Sequence, residues 1–143
     1  MQLATILIYF FIYAFLGWIV ETLYCTILQK RLVIRGFLVG PYCPIYGFGA
    51  LFVLAFLSPF KSFPLLIFLL AIVITSSLEY FVSFLLEKLF KKSWWDYSDK
   101  FFNINGRISL FYSLAWGALC ILLLYFLHPF LSERIDTIPA QPL

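Results

Sequence analysis

The stretch LATILIYFFIYAFLGWIVETLYCTIL, residues 3–28, carries a single charged side chain, that of Glu21. At 1.5 Å per residue, about 20 apolar residues in a helix cross the ~30 Å hydrocarbon core of a bilayer. This stretch is therefore long enough to span a membrane. No basic segment precedes it and no small-residue cleavage site follows a short core, which predicts a retained helix and not a secretory signal.

Three further apolar stretches follow, at about residues 44–57, 65–86 and 108–127. Hydrophobic residues make up 64% of the 143-residue chain and charged residues 12%, whereas soluble domains are roughly 45–50% apolar and 25% charged. We therefore predict an all-α, polytopic integral membrane protein with about four transmembrane helices in two helical hairpins. Residues 1–130 would form one transmembrane domain, and residues 131–143 a polar tail.

The first loop is unusually apolar. Residues 32–46, LVIRGFLVGPYCPIY, contain two prolines and two glycines, so a continuous helix is not expected there. Irregular backbone at membrane depth must be covered by protein or line a wet cavity. We therefore predict that this segment is re-entrant or interfacial and leads into the second helix.

The basic residues predict the orientation of the chain in the membrane. Eight of the ten lie in the first and third loops: Lys30, Arg31, Arg35, Lys88, Lys91, Lys92, Lys100 and Arg107. Only Lys61 and Arg134 lie on the opposite side. By the positive-inside rule, we expect a multi-pass protein of the cell membrane with both large loops cytoplasmic and both termini outside.

A weak internal repeat is consistent with two hairpins. ETLYCTILQK, residues 21–30, aligns with EYFVSFLLEK, residues 79–88, and the Glu-to-Lys spacing is the same in both. Two hairpins inserted in the same orientation would form a parallel repeat of the kind seen in some transporters.

Glu21 and Glu79 are the strongest candidates for a functional site. Each precedes a lysine by nine residues, which places it about 13 Å into the bilayer. An ionised carboxylate at that depth costs at least ~2.5–3.5 kcal/mol, so each should face the bundle interior, be protonated or pair with a cation. Two alternatives stay open: a polar pocket, ion site or general acid–base, and a neutral acid that only joins helices.

A second group of candidates lies in the loops and consists of Arg35, Asp96, Asn103, Asn105 and Arg107. An arginine there can bind a carboxylate or phosphate in bidentate fashion, or extend harmlessly to the interface. The aromatic residues Trp94, Trp95 and Tyr97 predict an interfacial belt. The Asn-Ile-Asn-Gly sequence by itself is typical of a turn.

Several function classes are disfavoured by the sequence. Cys25, Cys43 and Cys120 are unevenly spaced and the single histidine is His128, so we expect no metal site and no cofactor. No basic stripe indicates a nucleic-acid partner. The phosphate-binding glycine loop and the common hydrolase motifs are absent from these 143 residues, so any ATPase would be a separate polypeptide.

Three blocks of sequence resemble a known family. They are FLGWIVETLY (residues 15–24), RGFLVGPYCPIYGFGAL (35–51) and LEKLFKKSWWDYSDKFFNINGRISL (86–110). They are similar to the signature blocks of the ABC-transporter type IV (CmpB-like) membrane proteins, and the resemblance covers about residues 10–130. It implies a permease-like membrane component. The polar residues inside the blocks are Glu21, Arg35, Asp96, Asn103, Asn105 and Arg107.

Three functions remain open from the sequence. The first is a transport component with a pocket floored by Glu21 and Glu79 and surrounded by Arg35, Asp96, Asn105 and Arg107. The second is an intramembrane enzyme acting on a lipid or lipid-linked substrate, whose arginines would hold a phosphate. The third is a membrane scaffold or assembly protein. Because four helices are few for a transporter, we expect a homo-oligomer or a partner subunit within the lipid bilayer.

Overall fold

A computed structural model describes residues 2–32 and 40–138, and its regular secondary structure is helical. The helices are α1 (Leu3–Gln29), α2 (Pro44–Leu57), α3 (Pro64–Phe90), α4 (Leu110–Leu122) and α5 (His128–Ile135). A 3₁₀ turn, Ser58–Phe60, extends α2, and a π-helical turn, Leu123–Leu127, joins α4 to α5. The described residues form no strand, only an isolated bridge between Ile104 and Ile108. The prediction of an all-α fold is confirmed for this part of the chain.

Within the described residues, three helical stretches are long and apolar enough to cross a membrane: α1, α3, and the continuous helix Leu110–Ile135. The fourth, Pro44–Phe60, is apolar but shorter. Large apolar side chains on the outside of the bundle remain uncovered, as at Ile27 (73% exposed) and Leu65 (72%). A surface of this kind is stable in hydrocarbon and not in water. The protein is therefore a membrane protein.

The ends of the helices follow from their sequences. Pro44 and Pro64 occupy the first positions of α2 and α3, where proline needs no hydrogen-bond partner for its nitrogen. Lys30 and Lys91 end α1 and α3 with the same left-handed φ of 52°. Glu21 lies nine residues before the first of these lysines and Glu79 twelve before the second. The sequence alignment pairs Lys30 with Lys88, whereas the helix ends pair Lys30 with Lys91, three residues later. The parallel repeat therefore stays a prediction.

Glycines allow the helices to pack closely. A Cβ at Gly17 of α1 would overlap the ring of Tyr46 on α2, and one at Gly117 of α4 would lie 2.8 Å from Phe68 of α3. Small residues at such crossings let membrane helices approach each other without a large hydrophobic driving force. α1 packs on α2, α3 packs on α4, and α2 also contacts α3.

The helix α2 begins deep in the bundle. The backbone N–H of Cys43 donates to the carbonyl oxygen of Ala14 at 2.9 Å, and Cys43 is buried. Ala14 lies sixteen residues before the end of α1 at Lys30, which is about 24 Å along the helix axis. The chain therefore returns to the middle of α1 before α2 starts. Residues 33–39 of the predicted re-entrant segment lie outside the described residues.

The helix that starts at Leu110 continues beyond Leu127, where the sequence predicted the end of the last span. Pro129 has no N–H to donate within the helix, and the π-helical turn just before it widens the backbone locally. Near this end, the Tyr13 hydroxyl lies 2.6 Å from Nδ1 of His128, and the Tyr9 hydroxyl donates to Asp136 at 3.2 Å. These contacts fix the end of α5 against α1.

Candidate functional site

A cavity of about 170 Å³ lies between α1, α3 and α4, with side chains from α2 and from residues 91–109 completing its wall. We call it the carboxylate cavity, because Glu21 and Glu79 both line it. Its other lining residues are Val20, Tyr24, Tyr46, Tyr97, Phe111, Tyr112, Ala115, Trp116 and Leu119. α2 starts at Pro44, level with the middle of α1. It therefore does not pack beside the second half of α1, where the cavity lies.

Glu79 is the more deeply buried of the two carboxylates, at 4% exposed. Its Oε1 accepts a hydrogen bond from the Tyr97 hydroxyl at 2.8 Å, and its Oε2 accepts one from Nε1 of Trp116 at 3.2 Å. These donors come from the loop after α3 and from α4. Neutral donors thus form hydrogen bonds to both oxygens of a buried carboxylate. Such hydrogen bonds are among the stronger ones when the carboxylate is ionised.

Glu21 is half-buried on α1 and faces the same space. Its Oε1 accepts a hydrogen bond from the hydroxyl of Tyr46 at 2.9 Å. Tyr46 lies in the first turn of α2, and its ring packs directly against Gly17, one turn before Glu21. The missing side chain at Gly17 is therefore what allows the phenol to reach the carboxylate.

Five aromatic side chains, Tyr24, Tyr46, Tyr97, Tyr112 and Trp116, form what we call the aromatic wall of the cavity. The ring centroids of Tyr46 and Trp116 are 4.8 Å apart, and those of Tyr97 and Tyr112 are 4.6 Å apart and nearly parallel. The hydroxyls of Tyr24 and Tyr112 lie 2.9 Å from each other. The wall thus lines the cavity with aromatic rings and hydroxyl groups.

The charged side chains described in the lining of the cavity are all acidic. Its described lining residues include two carboxylates and no lysine, arginine or histidine. In a low-dielectric setting, two negative charges without a counter-ion strongly disfavour each other. The site is therefore complete only with a proton or with another cation.

The sequence model of the family described as "Putative ABC-transporter type IV" matches residues 8–143. The chain belongs to this family. The resemblance seen in the sequence is thereby confirmed, and the protein is a membrane protein related to ABC transporters. No significant match to the chain is found among curated proteins or among solved structures.

The third block of sequence that resembles the family, residues 86–110, includes the compact loop that carries Tyr97. The N–H of Tyr97 donates to the carbonyl of Gly106 at 2.8 Å. The side chain of Asn103 donates to the carbonyls of Ser98 and Lys100, and its oxygen accepts from the N–H of Gly106. Burial, and the nearby Glu79 carboxylate, raise the pKa of Tyr97, which keeps it a neutral phenol that can donate.

Asp96 and Asn103 therefore hold the loop together and do not line the carboxylate cavity. Asp96 is exposed, and one oxygen accepts from both the N–H and the hydroxyl of Ser98. These bonds lower the pKa of the Asp96 carboxyl. A Cβ at Gly106 would lie 2.6 Å from this carboxylate, and Gly106 has a φ of 69°, so glycine is required at that point of the turn.

Asn105 and Arg107 also lie away from the cavity. Arg107 forms an ion pair of 3.0 Å with Glu87 and lies over the rings of Tyr80 and Phe84. The amide nitrogen of Asn105 donates to the Tyr80 hydroxyl at 2.8 Å. These contacts attach the loop to the outer face of α3. Glu87, near the end of α3, is the ion-pair partner of Arg107.

The three residues of the expected interfacial belt have different surroundings. Trp94 packs edge-on against Phe90 and has the Lys92 ammonium over its ring. Nε1 of Trp95 donates to the carbonyl of Arg107 at 2.9 Å, whereas Tyr97 faces the cavity. Arg35, the remaining predicted site residue, lies outside the described residues.

Tyr24, Tyr46, Tyr112 and Trp116 line the carboxylate cavity and were missed in the sequence. A signal was available, because each carries a polar group within an apolar stretch, and buried tyrosine and tryptophan usually find a hydrogen-bond partner. No group of three or more His, Cys, Asp or Glu side chains in the described ranges, 2–32 and 40–138, is arranged to hold a metal ion.

A second cavity, of about 120 Å³, lies next to the first. We call it the apolar cavity, because its lining is mostly aliphatic and includes Leu16, Ala50 and Leu123. Val20, Tyr46, Trp116 and Leu119 line both cavities. The paired rings of Tyr46 and Trp116 therefore form a partition between the two spaces.

Proposed function

We propose that this chain is the permease-like, membrane-embedded component of a transporter and that the carboxylate cavity is its solute site. The observation that carries the proposal is the convergence of Glu21 and Glu79 on one cavity between membrane-length helices. Ionisable groups at membrane depth are expensive and usually mark substrate or ion pathways. Membership of an ABC-transporter-related family agrees with this role.

The hydrogen bonds of the two carboxylates suggest how the site could respond to a solute. Glu21 and Glu79 lie on α1 and α3, whereas their donors lie on α2, α4 and the loop. A solute that binds a carboxylate oxygen would displace a hydrogen-bond donor that belongs to another helix or to the loop. Occupancy of the cavity would thereby be coupled to the relative position of the helices, as alternating access requires.

The lipid-enzyme alternative is less well supported by the described residues. It requires an arginine near the carboxylates to hold a phosphate, but Arg107 is already paired with Glu87 on the outer face of α3. Asp96 is likewise engaged by Ser98 at the surface. The abundance of the variant Glu21→Gln/Glu79→Gln in the membrane distinguishes the scaffold alternative from transport.

We further propose that the chain crosses the membrane four times as two hairpins, with α2 beginning inside the bundle. The contact of Cys43 with Ala14 supports this arrangement. Because the 143 residues contain no phosphate-binding glycine loop, an ATPase outside this stretch of chain, such as a partner subunit, would supply energy from ATP. Assembly as a homo-oligomer or with such a subunit would complete the transporter.

The proposed orientation can be tested by protease access. Lys91 and Lys92 are exposed at the end of α3, on the side that we propose is cytoplasmic. We expect trypsin to cleave there in inside-out vesicles, and at Arg134 in right-side-out vesicles. Mass spectrometry of the fragments measures both. Cleavage at Lys91 or Lys92 in sealed right-side-out vesicles would reverse the assignment.

The transport role is tested with the double variant Glu21→Gln/Glu79→Gln in the native host lacking the wild-type gene. Untargeted mass spectrometry first finds the solutes whose uptake depends on the wild-type protein. We expect the double variant to reduce that uptake by about tenfold or more, because a charge-assisted contact worth ~1.4 kcal/mol corresponds to a tenfold change. Glutamine keeps the shape of the side chain and removes its charge.

The matched control is Glu133→Gln, an equivalent change on the exposed side of α5, which should leave uptake unchanged. Immunoblotting of the membrane fraction gives the abundance of each variant. A double variant with normal abundance and normal uptake would remove the cavity from the transport mechanism. Parallel loss of abundance and uptake in the double variant would instead favour the scaffold role.

A further inference from the structure

We infer that the solute recognised in the carboxylate cavity is a small organic cation, an amine or a quaternary ammonium compound. The inference rests on the proposed function and specifies the substrate class of the same site. It is carried by the combination of an aromatic wall with two carboxylates in one cavity.

The aromatic wall is the first part of the argument. Tyr46 and Trp116 pair on one side, and Tyr97 stacks on Tyr112 on another. Faces of tyrosine and tryptophan rings attract cations through their quadrupoles, and rings arranged around a pocket are the usual means of recognising quaternary ammonium groups. These rings line the cavity itself.

The charge of the lining is the second part. Glu21 and Glu79 are accompanied by no described basic lining residue. An anionic solute would add to their repulsion, and a neutral one would leave protonation as the only compensation of their charge. A cationic solute neutralises the two carboxylate charges and would itself be the counter-ion of the site.

The remaining lining distinguishes an organic cation from a metal ion. Ca²⁺ and Mg²⁺ require about six or more oxygen ligands. Here three of the four carboxylate oxygens already accept hydrogen bonds from protein donors. Val20, Phe111 and Leu119 contribute apolar surface that suits alkyl groups. The volume of about 170 Å³ is below the ~300 Å³ of sites for drug-sized ligands, so the cation is small.

A pair of probes of nearly equal shape tests the inference without any mutation. Choline and 3,3-dimethyl-1-butanol differ in that a neutral carbon replaces the ammonium nitrogen. The full chain in lipid nanodiscs is titrated with each probe, and with tetramethylammonium and methylammonium, and binding is measured by equilibrium dialysis. We expect at least one cation of the panel to bind at least tenfold more tightly than 3,3-dimethyl-1-butanol.

Variants then locate the bound cation. Glu21→Gln and Glu79→Gln should each weaken its binding tenfold or more, and Tyr112→Leu should weaken it through loss of a ring face. Glu133→Gln should leave the affinity unchanged. Size-exclusion chromatography checks that each variant remains folded. The inference is overturned if no cation of the panel binds more tightly than 3,3-dimethyl-1-butanol.

The outcomes also separate this inference from the proposed function. Glutamate-dependent uptake of a neutral or anionic solute would retain the transport role and exclude the cation. Cation binding that depends on the glutamates, together with normal uptake in the double variant, would retain the cation site and exclude its transport role.

Discussion

Replacement of Gly17 by alanine is expected to destabilise the protein by about 3 kcal/mol, the upper part of the range for adding a methyl group to a packed interior. The new Cβ would overlap the ring of Tyr46, which is held on α2 and cannot move away as a flexible chain end could. Displacing Tyr46 also breaks its hydrogen bond to Glu21. The variant should therefore lose stability and solute binding together.

Gly49→Ala is the matched control for this change. Gly49 is also a buried helical glycine, but a Cβ there would lie 3.5 Å from Leu78, an ordinary van der Waals distance. Because alanine favours a helix over glycine by about 1 kcal/mol, this variant should be as stable as the wild type or more so. The midpoint of unfolding in mixed detergent–SDS micelles measures both variants. Equal midpoints for Gly17→Ala and Gly49→Ala would contradict the close α1–α2 contact.

The parts of the fold that could be predicted from the sequence are those that depend on the hydrocarbon environment of the membrane. A long apolar stretch has one low-energy structure in hydrocarbon, a helix with all its backbone hydrogen bonds made internally. The same argument singled out Glu21 and Glu79, because a carboxylate in hydrocarbon must turn inward. Both do line one cavity, although the sequence alone could not say that they share it.

The partners of these carboxylates could not be predicted, because they depend on contacts between distant parts of the chain. Tyr97 was assigned to an interfacial belt from its neighbours Trp94 and Trp95. Its position over Glu79 is instead set by the hydrogen bonds of Asn103 and Gly106 within the loop. Local composition reports the average environment of such a loop but not the direction of one side chain.

The charged loop residues illustrate the same limit. A guanidinium at the end of a span can bind a ligand, a carboxylate or water, and the sequence around Arg107 allows all three. The choice is made by the fold, which brings Glu87 and the rings of Tyr80 and Phe84 to it from α3. Arg107 is thereby a positioning residue for the loop that carries Tyr97.

Trp116→Ala is expected to destabilise the protein by about 3–5 kcal/mol, the usual range when a large packed aromatic side chain is truncated. Trp116 packs against Tyr46 at 4.8 Å and separates the carboxylate cavity from the apolar cavity. Removing the ring would merge the two spaces and leave Oε2 of Glu79 without its donor.

Trp116→Phe separates the ring from its N–H. Phenylalanine keeps an aromatic face toward Tyr46 but cannot donate to Glu79, which retains only the hydrogen bond from Tyr97. We expect this variant to lose about 1–2 kcal/mol, the contribution of one hydrogen bond to a polar or charged acceptor. The SDS unfolding midpoints of both variants measure the difference. If alanine and phenylalanine were equally destabilising, the hydrogen bond to Glu79, and not the partition between the cavities, would be the main contribution of Trp116.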